Sequence, residues 1–99
     1  MAQSVTTLPP KERLILEFLL SQGPLFGLRL VEISGGRLKR GTVYVTLGRM
    51  VRKGFVRSEP EPAVSGAIGL PRRIYHPTPL GERALRAWSA LTQELAWEN

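Results

Sequence analysis

The chain has 99 residues, 42% of them hydrophobic, with a formal charge of +6 and a sequence pI near 10.8. That length suits one domain with one core, and two Trp, three Phe and two Tyr argue for a folded chain. With no cysteine, a disulfide framework and thiolate metal ligation are excluded, and no apolar run approaches the roughly 18 residues of a membrane span.

The N-terminus lacks the basic-then-apolar pattern of a secretory signal, so a cytoplasmic protein is expected. Residues 1–8 read as a small, polar arm with Val5 and Leu8 as apolar footholds. Pro9-Pro10 opens a first helix through Leu14, Ile15, Phe18 and Leu19 to about Ser21, and Gln22-Gly23-Pro24 ends it. Leu16 and Leu20 widen its apolar surface beyond one stripe. Leu25-Phe26-Gly27 leads into a short second helix carrying Leu28, Leu30, Val31 and Ile33, stopped by Ser34-Gly35-Gly36. Leu38, alone between Arg37 and Lys39-Arg40, allows only a stub of strand pairing.

A third helix is expected from Gly41 or Thr42 to Lys53, closed by Gly54. With Leu47 as origin and 100° per residue, Val43, Tyr44, Met50 and Val51 fall within about 60° of it and form the expected buried stripe. Thr42, Val45, Arg49 and Arg52 gather opposite, with Thr46 and Lys53 at one edge. Short polar, methyl-bearing and arginine side chains on one face suit a helix lying in a DNA major groove. The same face on an ordinary surface helix would simply be solvated.

Phe55–Glu59 and Arg72–His76 read as two strands around a long tip, residues 60–71, with three prolines and two glycines. Thr78 is then a good N-cap with Pro79 at the first helical position. The last helix spaces Leu80, Ala84, Trp88, Leu91 and Leu95 at intervals of three and four, flanked by Leu85, Ala87 and Trp97. The expected fold is therefore mainly α with a two-stranded β wing: a winged helix-turn-helix over 9–77, plus a C-terminal helix over 78–99 packed with it.

The charge is concentrated where such a fold would meet DNA. Residues 37–76 hold nine cations against Glu59 and Glu61, a net of +7, while the flanks are neutral or slightly acidic. That fits a polyanion footprint better than evenly spread solubilising charge.

Gly23-Pro24-Leu25-Phe26-Gly27, Gly41-Thr42-Val43-Tyr44 with Leu47 and Met50, and Gly54-Phe55-Val56 resemble the N-terminal domain of PadR-type transcriptional regulators. Arg72-Arg73-Ile74-Tyr75 and Thr78-Pro79-Leu80-Gly81 resemble the wing strand and last-helix start of that family, so the likeness covers about residues 12–88. The resemblance implies a dimeric factor, usually a repressor, on a pseudo-palindromic operator of double-stranded DNA. It also implies C-terminal helices that build the dimer, sometimes around a cavity for a small aromatic effector. Two departures stand out. Val45 follows the tyrosine where the family often has proline, and no counterpart is expected for the larger C-terminal domain of many relatives.

The candidate base-reading residues are Thr42, Val45, Thr46 and Arg49, where Arg49 can pair with a guanine edge and a methyl can touch thymine. Tyr44 stands between core packing and phosphate contact. Arg37, Lys39, Arg40, Arg52 and Lys53 are candidate phosphate contacts, and Arg72 and Arg73 would serve the wing. Trp88 either packs the core or interface or lines an effector or dimer cavity. His76 has no second histidine or cysteine beside it in sequence, so no metal site is expected. No nucleophile–base pair or phosphate-cradling loop stands out, so neither an enzyme nor a cofactor is expected. The alternative function is a winged-helix adaptor whose basic face meets an acidic protein.

Overall fold

A computed structural model of the chain describes residues 8–62 and 72–97, with side chains to residue 94. The expected arm (apart from Leu8), the hairpin tip from residue 63 to 71, and the side chains of Leu95 and Trp97 lie outside the described residues. The order is α1 (Pro10–Gln22), β1 (Leu25–Phe26), α2 (Gly27–Ile33), α3 (Val43–Lys53), β2 (Val56–Pro60), β3 (Arg73–Pro77) and α4 (Pro79–Trp97).

The punctuation residues act where the sequence places them. Pro10 begins α1, and Gly23 leaves it at φ 90°. At the end of α3, Gly54 is left-handed at φ 83°; its N–H reaches the Val51 carbonyl at 3.0 Å, and the Phe55 N–H reaches Met50 at 2.9 Å. This paired closure turns the chain straight from helix into β2.

The sheet corrects the sequence reading. It has three antiparallel strands in the order β1-β3-β2, with Leu25 opposite Tyr75 and Ser58 opposite Tyr75 on the other side. The extra strand comes from Leu25-Phe26, not from Leu38. Leu38 is instead a buried plug, its N–H bonded to the Ser34 hydroxyl at 3.0 Å, while that hydroxyl donates to the Val31 carbonyl at 2.8 Å. One buried serine thus ties the α2 end to the turn that leads into α3.

The core joins Leu14, Ile15, Leu16 and Leu19 of α1 to Leu30, Val43, Leu47, Met50, Phe55, Val56 and Tyr75. Each such side chain contributes about 1.5–3 kcal/mol through burial. Leu8 joins them, so that foothold of the arm is used.

The junction of α3, β2 and α4 explains the Thr-Pro-Leu-Gly stretch. The Thr78 hydroxyl donates to the Gly54 carbonyl at 2.6 Å and accepts from the Gly81 N–H at 3.0 Å, capping α4 while holding the end of α3. Gly81 sits so close to β2 that a Cβ there would overlap the Phe55 carbonyl oxygen and lie 3.0 Å from Leu16 Cδ2. These contacts fix the wing and α4 relative to α3.

Candidate nucleic-acid interface

Helix α3 packs its core side in a direction rotated from the sequence expectation. Val43, Leu47 and Met50 are buried as expected, but Thr46 joins them while Tyr44 and Val51 remain 48% and 41% exposed. The buried arc is therefore centred about 50° from Leu47 towards Thr46. Thr46 is corrected as a groove-facing residue: its hydroxyl donates to the Thr42 carbonyl at 3.3 Å and its side chain is enclosed.

The cause lies in α1. Glu12 is fully buried, its Oε1 2.9 Å from Lys53 Nζ and its Oε2 3.9 Å from Arg49 Nη1. Oε2 has no hydrogen-bond partner, and Arg49 pairs with it at ion-pair distance. A buried carboxylate needs such charge close by, and it draws the Thr46–Arg49–Lys53 edge of α3 against α1. Lys53, a phosphate candidate in the sequence, is here also the partner of a core acid, and its Nζ lies 5.6 Å from the Phe55 ring. Glu12 was missed in the sequence, although it occupies the first position of the apolar spacing Glu12, Ile15, Leu16, Leu19.

What remains exposed on α3 is an acid-free face. Val45 is 59% exposed, Tyr44, Arg49 and Arg52 are exposed, and Thr42 stands at the N-terminal end without a capping bond from its hydroxyl. Arg37, Lys39 and Arg40 are exposed on the turn before it. Among the described residues, no ion pair engages Arg37, Lys39, Arg40 or Arg52.

Tyr44 does not enter the core; its ring lies across Gly27 at the start of α2, where a Cβ would meet Tyr44 Cε1 at 2.6 Å. Behind it, Tyr75 has its hydroxyl pKa raised above the ordinary 10.0 by burial, then by the neighbouring Tyr44 charge, against a lowering by Arg73.

The wing root is differently occupied. The Arg72 guanidinium lies 4.0 Å from the Phe26 ring centroid and reaches Glu61 Oε1 through Nε at 2.9 Å and Nη2 at 2.8 Å. Arg73 Nε donates to the Ser58 hydroxyl at 3.1 Å, and His76 Nε2 is 2.7 Å from Glu59 Oε2. Trp88 is half-buried on the core, with Arg13 5.5 Å from its ring centroid. Among the described residues no group of three or more His, Cys, Asp or Glu is placed to hold a metal ion, and no helix is long and apolar enough to cross a membrane.

Three helices, a three-stranded sheet with a β2–β3 hairpin and an added C-terminal helix define a winged helix-turn-helix protein. Residues 15–87 match the family model of the transcriptional regulator PadR-like family, and the chain belongs to that family of transcription regulators, not of enzymes. A putative transcriptional regulator from Thermoplasma acidophilum is similar at 30% identity and TM-score 0.67, over 87% of this chain and 82% of that one. A PadR-like transcription factor from Bacteroides fragilis shares the fold at 24% identity and TM-score 0.72, over 89% and 84% of the two chains. The fold also matches Bacillus subtilis PadR, solved in complex with operator DNA, at 20% identity and TM-score 0.68. That match spans 83% of this chain and 48% of the Bacillus protein. A search of curated proteins finds no match.

Proposed function

We propose that the chain acts as a homodimeric, sequence-specific transcriptional repressor that lays α3 in the major groove and its hairpin on the flanking backbone or minor groove. The observation that carries this reading is the acid-free α3 face, Thr42, Tyr44, Val45, Arg49 and Arg52, with Arg37, Lys39 and Arg40 beside it and no ion pair on those three or on Arg52 among the described residues. Family membership supports it, as does the operator complex of the Bacillus relative.

In this reading Val45 and Thr42 meet base edges and thymine methyls, Arg49 pairs with a guanine, and Arg37, Lys39, Arg40 and Arg52 hold phosphates. Glu12 fixes the side from which Arg49 approaches. Arg73 serves the wing backbone contact, while Arg72 chiefly braces the hairpin. Beyond Trp88 the described side chains of α4 are exposed, Leu91 to 53%, which suits a second copy as its cover. Trp88 belongs to that packing; an aromatic effector reaching its ring would meet Arg13 there.

Selection of bound sequences from random DNA tests the reading directly. A pseudo-palindrome with half-sites about 34–36 Å apart is expected. Recovery of unselected sequence, or binding equal to random DNA at low salt, would overturn it. Arg49→Ala should weaken the selected site by about 1–3 kcal/mol and relax its preference, whereas an equal loss on random DNA would make Arg49 a phosphate contact.

A further inference from the structure

Gly48 sits inside α3, where glycine lowers helix stability relative to alanine through backbone entropy and the loss of a side chain. Three other glycines have an internal reason. Gly54 needs its positive φ, Gly27 makes room for the Tyr44 ring, and Gly81 lets α4 approach the Phe55 carbonyl. Gly48 has none of these. It is helical, and the nearest atom to a Cβ placed on it is Arg52 Nη1, an exposed and flexible side-chain end at an ordinary 3.8 Å.

Its position on the helix is informative. At 100° per residue, the exposed residues Val51, Tyr44, Arg52, Val45 and Arg49 span an arc from about 40° to 200°, and Gly48 at about 100° lies near its middle. The bare backbone is flanked by the two apolar residues Tyr44 and Val45 and by Arg52, all exposed. The fold therefore leaves a shallow notch at the centre of the face proposed to meet DNA, bordered only by the flexible end of Arg52.

We infer that Gly48 is the point of closest approach between α3 and the base pairs, a specificity-determining position at which a base edge packs directly on the helix backbone. This rests on the operator reading above. Glycine lets the helix sit deeper in the groove, which brings the short side chains Thr42 and Val45 within reach of bases. A side chain at position 48 would hold the helix away from the groove floor. Binding to random DNA is held mainly by phosphates, so it tolerates that displacement.

The test compares wild type, Gly48→Ala and Gly48→Leu by thermal melting and by titration of the selected operator and of random DNA at several salt concentrations. Gly48→Ala should raise Tm by about 4 °C, because alanine is the better helix former. It should also weaken operator binding about tenfold, with Gly48→Leu weaker still. Random-DNA affinity and the salt slope should stay unchanged. Operator affinity equal to wild type in both variants would overturn the role of Gly48 and leave the operator reading standing. An equal loss on operator and random DNA would also overturn it, placing phosphate rather than base against the glycine. A wild-type protein that selects no sequence would remove the operator reading itself, a result separable from the other two.

Discussion

Arg52 and Arg72 have the same chemistry and lie in the same basic segment, yet the fold treats them in opposite ways. Arg52 projects from the outer face of α3 with no ion pair among the described residues. Arg72 lies over the Phe26 ring and grips Glu61 with two nitrogens, joining β3 to β1 and to the end of β2. The contrast extends to their neighbours: Arg37, Lys39 and Arg40 lack ion pairs among the described residues, while Lys53 is held by Glu12. A cation can attract phosphate only to the extent that it is not already satisfied by its own chain, so net charge overstates the available footprint.

The largest effect expected from this contrast is at Lys53. Lys53→Met leaves the buried Glu12 carboxylate with only Arg49, 3.9 Å away, and should destabilise the fold by about 3 kcal/mol in urea denaturation. If stability is unchanged while DNA binding weakens, Lys53 belongs with the phosphate contacts after all. Arg72→Ala should cost about 1 kcal/mol of stability, from the stacked and paired guanidinium, and leave the salt dependence of DNA binding unaltered. A smaller salt slope in that variant would erase the distinction between wing root and α3. Arg52→Ala should move stability by less than about 0.5 kcal/mol and reduce the salt slope by about one. An unchanged slope would remove Arg52 from the footprint.

A smaller effect is expected at alkaline pH. Tyr75 has a folded-state pKa raised chiefly by burial, so it favours the folded state fully below the ordinary value of 10.0. That contribution is lost as pH rises through 10.0 towards the raised folded value. Stability measured by urea titration should therefore fall above pH 10, and Tyr75→Phe should fall less steeply. Identical slopes in the two proteins would show that Tyr75 ionises equally easily in both states.

Much of the architecture was legible because it depends on local rules. Pro10, Gly23, Gly54 and the Thr78-Pro79 pair marked the helix ends, since proline fixes φ, glycine accepts positive φ and threonine caps amide groups. The third helix and the two wing strands followed from apolar spacing. The third strand did not, because Leu25-Phe26 is too short to carry a period and becomes a strand only by pairing with Ile74-Tyr75. The orientation of α3 was legible only to within one side chain's width. Burial of Thr46 and exposure of Val51 depend on where α1 inserts Glu12, a contact spanning 41 residues of sequence.

The sequence by itself determined the winged-helix order, the concentration of positive charge in residues 37–76, and the family, because these depend on spacing, composition and short motifs. Only the tertiary structure decided which of those charges meet a carboxylate of the same chain. Glu12 and Glu61 pair with Lys53 and Arg72 through contacts that exist only once helices and strands meet. The fold likewise decided that a side chain at Gly48 would meet only the end of Arg52 at ordinary contact distance, while one at Gly27 or Gly81 would clash, because a missing side chain acquires meaning only from what stands opposite it.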